Sequence, residues 1–159
     1  MKAILYRHTT QIVASKTAAQ IAELLGQAGA TRINTTYENG KAVGIDFSVT
    51  LDGMNMSFRL PIYPEKVLDA MRADGKKRRR SIHGAGSERI AEQAERTAWR
   101  VALEWLRAQL AYMASGQVQA QEVFLPYLVT PNGETLYKSL ERRQFAGLLT
   151  SGAEGRSAK

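Results

Sequence analysis

The sequence contains no cysteine and only two histidines, His8 and His83, among 159 residues. The lack of cysteine excludes disulfides, thiolate metal ligands and cysteine nucleophiles. Two histidines cannot form a multi-histidine metal site within one chain. No apolar run approaches the roughly 20 residues that a membrane span requires, so we expect no membrane partner. The apolar stretch in the opening MKAILYRHTTQ is too short for a signal peptide.

Sequence motifs of the common catalytic families are also missing. There is no GxxxxGK[ST] loop, no HExxH and no GxSxG, and no GxGxxG follows a strand pattern. A two-metal nuclease would need several carboxylates at one place, for which Glu38, Asp46 and Asp52 are the available candidates. We rank this third. We predict no catalytic residue, no metal and no cofactor. The sequence favours a binding protein over an enzyme.

Positive charge is concentrated in one segment of the chain. The sequence has 22 Lys and Arg against 15 Asp and Glu, a net charge of +7. The stretch RADGKKRRR, residues 72–80, holds six basic residues and one Asp and so carries +5. The remaining 16 basic and 14 acidic residues contribute only +2. The basic character therefore belongs to this segment.

This basic segment is predicted to be a mobile loop at about 74–87 between two helices, because like charges repel and its glycines favour disorder. Clustered Arg and Lys neutralise phosphates and release counterions, which indicates nucleic-acid binding. The alternative is a solvated loop that only keeps the protein soluble. The predicted nucleic-acid-binding residues are Arg72, Lys76, Lys77, Arg78, Arg79, Arg80 and Arg89.

The first half of the chain predicts a helix followed by a three-stranded meander. Ser15 is a candidate N-cap for a helix from Lys16 to about Gln27, with Gly29 behind it. The strands are expected at about 31–38, 41–51 and 54–62, joined by Asn-Gly and Asp-Gly dipeptides that favour type I′ turns. In the second strand the apolar face is expected to hold Val43, Ile45, Phe47, Val49 and Leu51, and the polar face Ala42, Gly44, Asp46, Ser48 and Thr50.

The second half is predicted to be helical. A short helix should start at Pro64, a long one should run from Glu88, capped by Ser87, to about Ser115, and a last one should start near Glu134. The long helix has two apolar stripes, through Trp99 and through Trp105, both assigned to the core. A chain of this size has few other elements to cover both stripes, so we expect self-association through part of 99–113 or 124–129.

These patterns give an α+β fold: an N-terminal helix on a three-stranded antiparallel β-meander, then a helical C-terminal half with one long helix. Residues 1–150 are predicted to form one domain, and residues 151–159, SGAEGRSAK, a disordered tail.

Several stretches resemble small uncharacterised proteins encoded by tailed bacteriophages and prophages. They are ILYRHTTQI, FRLPIY, AERTAWRVALEWLRAQLAYMASGQV and EVFLPYLVTPNGETLY. The resemblance spans about residues 3 to 148. It implies the cytoplasm of a bacterial host and a phage role in DNA metabolism, regulation or interference with the host, and it assigns no active-site residue. A looser analogy links the meander and following helices to phage single-strand annealing proteins with Rad52-like cores.

The leading hypothesis is therefore a non-enzymatic nucleic-acid-binding accessory protein in recombination or replication, with single-strand binding or annealing by an oligomer as its specific form. The alternative is a protein–protein interaction factor that inhibits or redirects a host or defence protein.

Overall fold

The computed structural model of the chain describes residues 10–77, 85–146 and 148. The predicted α+β architecture is confirmed: one helix, a three-stranded antiparallel sheet, and a helical second half with one long helix. The elements are α1 Ala14–Gln27, β1 Arg32–Glu38, β2 Lys41–Leu51, β3 Met54–Arg59, α2 Pro64–Lys77, α3 Ala85–Ala114, α4 Ala120–Phe124, a 3-10 turn Leu125–Tyr127, and α5 Leu136–Arg142.

The two ends of α1 are set in different ways. The predicted cap at Ser15 is wrong: Val13 is the N-cap, with no side-chain hydrogen bond, and burial of Ala14 and Thr17 fixes the first turn instead. The predicted end at Gly29 is confirmed, with a φ of 93°. There the Ala30 N–H donates to the Leu25 carbonyl at 2.9 Å, which closes a Schellman motif.

The sheet has the order β1-β2-β3, and both predicted tight turns are present. Asn39 and Gly40 have φ values of 49° and 75°, and Asp52 and Gly53 have 51° and 78°. Positive φ at both central residues is the type I′ geometry, which matches the right-handed twist of the flanking strands.

The predicted alternation in β2 is wrong at its start because the strand contains a bulge. Thr36 pairs with Gly44 and Tyr37 with Ala42, so Val43 is an extra residue in β2. A bulge of this kind shifts the phase of the strand. Ala42, expected on the polar face, is therefore buried in the core, whereas Val43 lines a surface groove.

Ser48 lies on the polar face as predicted, but it is buried there. Its Oγ lies 2.9 Å from the Ser57 Oγ on the neighbouring strand. This cross-strand hydrogen bond satisfies the hydroxyl that burial would otherwise leave unpaired.

The core lies where α1 and α3 meet the apolar face of the sheet. Its fully or nearly fully buried members are Ile21 and Leu25 of α1, Ile45, Phe47 and Phe58 of the sheet, and Trp99, Leu103 and Leu106 of α3. The stripe of α3 through Trp99 is thus covered within the chain. The Trp105 ring contacts Phe124 and Tyr127, at centroid distances of 6.0 and 5.5 Å. This cover weakens the reason for expecting self-association, which stays a prediction.

The helices extend further into the basic segment than predicted. α2 continues to Lys77 and α3 begins at Ala85, so Ser87 lies inside α3 rather than capping it. Helix propensity disfavours Gly75 by about 1 kcal/mol relative to alanine. α2 nevertheless continues through Gly75, and it packs against α3. Residues 78–84 and the predicted tail lie outside the described residues.

The last helix starts two residues later than predicted, and two elements before it were not predicted at all. Thr135 is the N-cap of α5, and its Oγ1 accepts a hydrogen bond from the Lys138 N–H at 3.4 Å. α4 and the 3-10 turn form a short strap, residues 120–129, that crosses α3 and reaches the sheet edge, where the Val129 N–H donates to the Ser57 carbonyl at 2.8 Å.

The core assignment predicts a large stability loss for Phe47→Ala. Phe47 is only 2% exposed, so the substitution should lower the free energy of unfolding by about 3–5 kcal/mol. Urea denaturation measures this. Thr50→Ala, at an exposed site on the opposite face of the same strand, is the control and should change it by less than about 0.5 kcal/mol. A loss below about 1 kcal/mol for Phe47→Ala contradicts the core assignment.

Candidate nucleic-acid interface

The described part of the basic segment lies at the adjoining ends of two packed helices. Arg72 is about one turn before the end of α2, and Arg89 is about one turn after the start of α3. Both side chains are exposed, and neither forms an ion pair with another described residue. Lys76 and Lys77 form the last residues of α2. Arg78, Arg79 and Arg80 lie outside the described residues.

Most other cations near this segment are compensated by carboxylates. Arg96 contacts Glu92 at 3.0 Å one turn away, and Lys41 of β2 contacts Glu95 at 3.4 Å. Arg100 contacts Glu104 at 3.0 Å in the same way. The first half of α3 therefore contributes little net charge, and Arg72 and Arg89 are the exposed cations that flank the KKRRR run.

A groove of about 580 Å³ lies between the sheet and the start of α2. Its central feature is a bidentate ion pair, in which Arg59 Nε and Nη2 donate to the two Asp46 carboxylate oxygens at 2.8 and 2.9 Å. Arg59 Nη1 also donates to the Gly133 carbonyl at 3.0 Å. The hydrogen bonds to Asp46 raise the pKa of the Arg59 guanidinium. The charged residues that line this groove are Glu38, Asp46, Arg59, Glu65 and Lys138.

Three carboxylates against two cations make this groove a poor site for a phosphate. The guanidinium of Arg59 is already engaged by Asp46, which leaves it no charge to offer an incoming anion. The pair instead joins β2 and β3 to the turn at Gly133. We assign it a structural role.

A smaller groove of about 310 Å³, which we call the aromatic groove, lies between α2, α3 and the strap. Three aromatic rings from separate parts of the chain line it: Tyr63, Trp105 and Tyr127. Trp105 and Tyr127 meet edge to face at an angle of 81°. Lys66 Nζ is 4.5 Å from the centre of the Tyr63 ring, and Lys138 Nζ is 5.6 Å from it.

Sequence reasoning missed this groove. It assigned Trp105 to the core and did not connect it with Tyr63 or with Tyr127. The rings come together only when the strap folds over α3. The only local signal was the prolines beside two of them, in LPIYP and FLPYL, which place aromatic residues where the chain leaves regular structure.

The three carboxylates considered for a nuclease do not meet at one site: Glu38 and Asp46 both line the larger groove, but Asp52 does not. Asp46 is engaged by Arg59, and Asp52 accepts a hydrogen bond from Gln121 Nε2 at 3.0 Å. Within residues 10–77, 85–146 and 148, no group of three or more His, Cys, Asp or Glu side chains could hold a metal ion. In the same described ranges no helix is both long and apolar enough to cross a membrane.

Comparison of the chain with protein-family models, curated proteins and solved structures finds no match.

The burial of Tyr127 in the aromatic groove predicts that its phenol ionises at a higher pH than a free tyrosine. Burial raises the pKa of the Tyr127 phenol above its ordinary 10.0, with a smaller contribution from Tyr63. In an alkaline titration followed by phenolate absorbance, Tyr127→Phe should remove a component that ionises above pH 10. Because the folded pKa is the higher one, stability linked to this group is complete below pH 10 and is lost as the pH rises through the folded value. Loss of an early component instead would contradict the burial of this phenol.

Proposed function

We propose that this chain is a non-enzymatic nucleic-acid-binding protein that contacts the phosphate backbone through the basic segment joining α2 and α3. The observation that carries the proposal is the exposure of Arg72 and Arg89, without described acidic partners, on either side of the KKRRR run. A role in the recombination or replication of a phage or prophage follows only from the resemblance of the sequence.

The chemistry of the segment favours phosphate contacts over base recognition. Lys and Arg that neutralise phosphates gain affinity from counterion release, whatever the base sequence. Base recognition in a groove requires side chains held in fixed bidentate geometry. Arg72 and Arg89 are exposed side chains at helix ends, with no described partner that fixes the guanidinium plane. We therefore expect an affinity that depends strongly on salt concentration and only weakly on base sequence.

The salt dependence of binding tests the proposal. If Lys76, Lys77 and the three arginines 78–80 all contact a single strand, the slope of log affinity against log salt should include about −3 to −4 from them, at roughly −0.7 for each contact. Replacing all five with Ser should flatten the slope by that amount and weaken all base sequences alike. Fluorescence anisotropy with a labelled oligonucleotide measures both effects.

A control variant should remove the same charge elsewhere on the surface. Suitable sites are Lys16, Arg32, Lys41, Arg107 and Arg143, which are exposed and lie outside the segment. An equal loss of affinity in both variants would show that only net charge matters, and would contradict the proposal. So would the absence of binding by the unaltered protein near physiological salt, which would favour the interaction-factor hypothesis.

The substitutions should leave the fold nearly intact. Lys76 and Lys77 lie at the C-terminus of α2, where cations interact favourably with the helix dipole, so each replacement should cost about 0.3–1 kcal/mol. Thermal melting followed by circular dichroism checks that a loss of binding is not a loss of structure.

A further inference from the structure

The aromatic groove combines an apolar aromatic wall with uncompensated positive charge. Val67 of α2 and Ala102 of α3 contribute to its lining, and the Trp105 and Tyr127 rings form its aromatic wall. Both rings are half-buried, which leaves part of each open to a ligand. At about 310 Å³ the groove is at the lower end of the range for small-molecule sites.

Tyr63 has a different position from the other two rings. The Lys66 and Lys138 ammonium groups lie 4.5 and 5.6 Å from its centre, within cation–π range. Neither lysine forms an ion pair with another described residue, and both are exposed. Lys66 lines the aromatic groove, whereas Lys138 lines the larger groove on which Tyr63 also borders. Tyr63 therefore acts as a positioning residue that holds the Lys66 charge beside the aromatic wall.

The charges decide which of the two grooves suits an anionic ligand. No carboxylate is among the residues that line the aromatic groove in the described part of the chain. The larger groove has three carboxylates, and its arginine is already paired. A ligand with a flat apolar part and an adjoining phosphate is thus complementary to the aromatic groove and not to its neighbour.

We infer that the aromatic groove takes one unpaired base of a single-stranded nucleic acid, with Lys66 contacting an adjoining phosphate. The inference rests on the proposed function and deepens it, because it gives the protein a reason to prefer single strands. Bases in a duplex are stacked on one another and cannot enter a groove of this kind, whereas an unstacked base gains contact with aromatic rings whatever its identity.

The test compares two strands with the same phosphates. One is an oligothymidylate of about ten nucleotides, within the site sizes of single-strand binders, and the other is an abasic strand of equal length. The unaltered protein should bind the oligothymidylate about tenfold more tightly, as expected for one stacked base. The oligothymidylate should also quench tryptophan fluorescence through Trp105, whereas the abasic strand should not, since Trp99 is fully buried.

Two variants with matched controls locate the effect. Tyr127→Leu should bring the affinity for oligothymidylate close to that for the abasic strand, while Tyr137→Leu, at an exposed tyrosine of α5, should not. Lys66→Met should weaken both strands and reduce the salt slope by about 0.7, while Lys16→Met, at an exposed site of α1, should leave the slope unchanged. The fluorescence comparison needs no variant and holds even if Tyr127→Leu fails to fold.

The outcomes separate the two proposals. Equal affinity for the two strands, without quenching, overturns the base site and leaves phosphate binding by the basic segment in place. No binding of either strand overturns both proposals. If thymidine monophosphate binds as tightly as the oligothymidylate, the groove belongs to a free nucleotide, and the inference about a strand is wrong.

Discussion

Contact among the rings of Phe47, Phe58 and Phe124 holds the strap against the sheet, and the aromatic groove depends on this contact. The centroid distances are 5.4 Å between the two strand residues, and 5.3 and 5.7 Å from each of them to Phe124. Phe124 is the last residue of α4, so burial of its ring fixes the strap against the sheet. The same ring also meets Trp105 at 6.0 Å and thereby closes the surface of α3. Without this cluster, Tyr127 would have no fixed place beside Trp105, and the aromatic groove would not form.

The parts of the fold that sequence predicted well are those determined by neighbours along the chain. Asn39-Gly40 and Asp52-Gly53 specify their turns because few other dipeptides accept two positive φ values. The bulge at Val43 could not be predicted in this way. The letters alternate without interruption from Val43 to Leu51, and the extra residue is determined by how β1 pairs with β2. The small side chain of Ala42 then fits the core at a position that the pattern gave to the polar face.

The candidate site also has one part that local sequence predicts and one part that depends on contacts between distant segments. A run of basic residues is visible in the sequence, and the structure adds only that Arg72 and Arg89 lie at adjoining helix ends. The aromatic groove depends on three segments that meet in space, and no local pattern connects Tyr63 with Trp105 or Tyr127. α4 and the 3-10 turn are also too short to show a helical period, and Pro126 interrupts the apolar stretch that contains them.

Helix α2 connects the two candidate binding features. Lys66, which lines the aromatic groove, lies in the first turn of α2. Lys77 is the last residue of α2 and belongs to the basic segment. Fourteen residues make a helix of about 20 Å. A nucleic-acid strand has one phosphate for about every 3.4 Å when its bases are stacked, so about six nucleotides span this length. That length lies within the four to sixteen nucleotides, roughly, that single-strand binding modules occupy. Under the two proposals, one short strand running along α2 would place a base in the aromatic groove while its phosphates reach the basic segment. Each contact would then raise the effective concentration of the strand at the other.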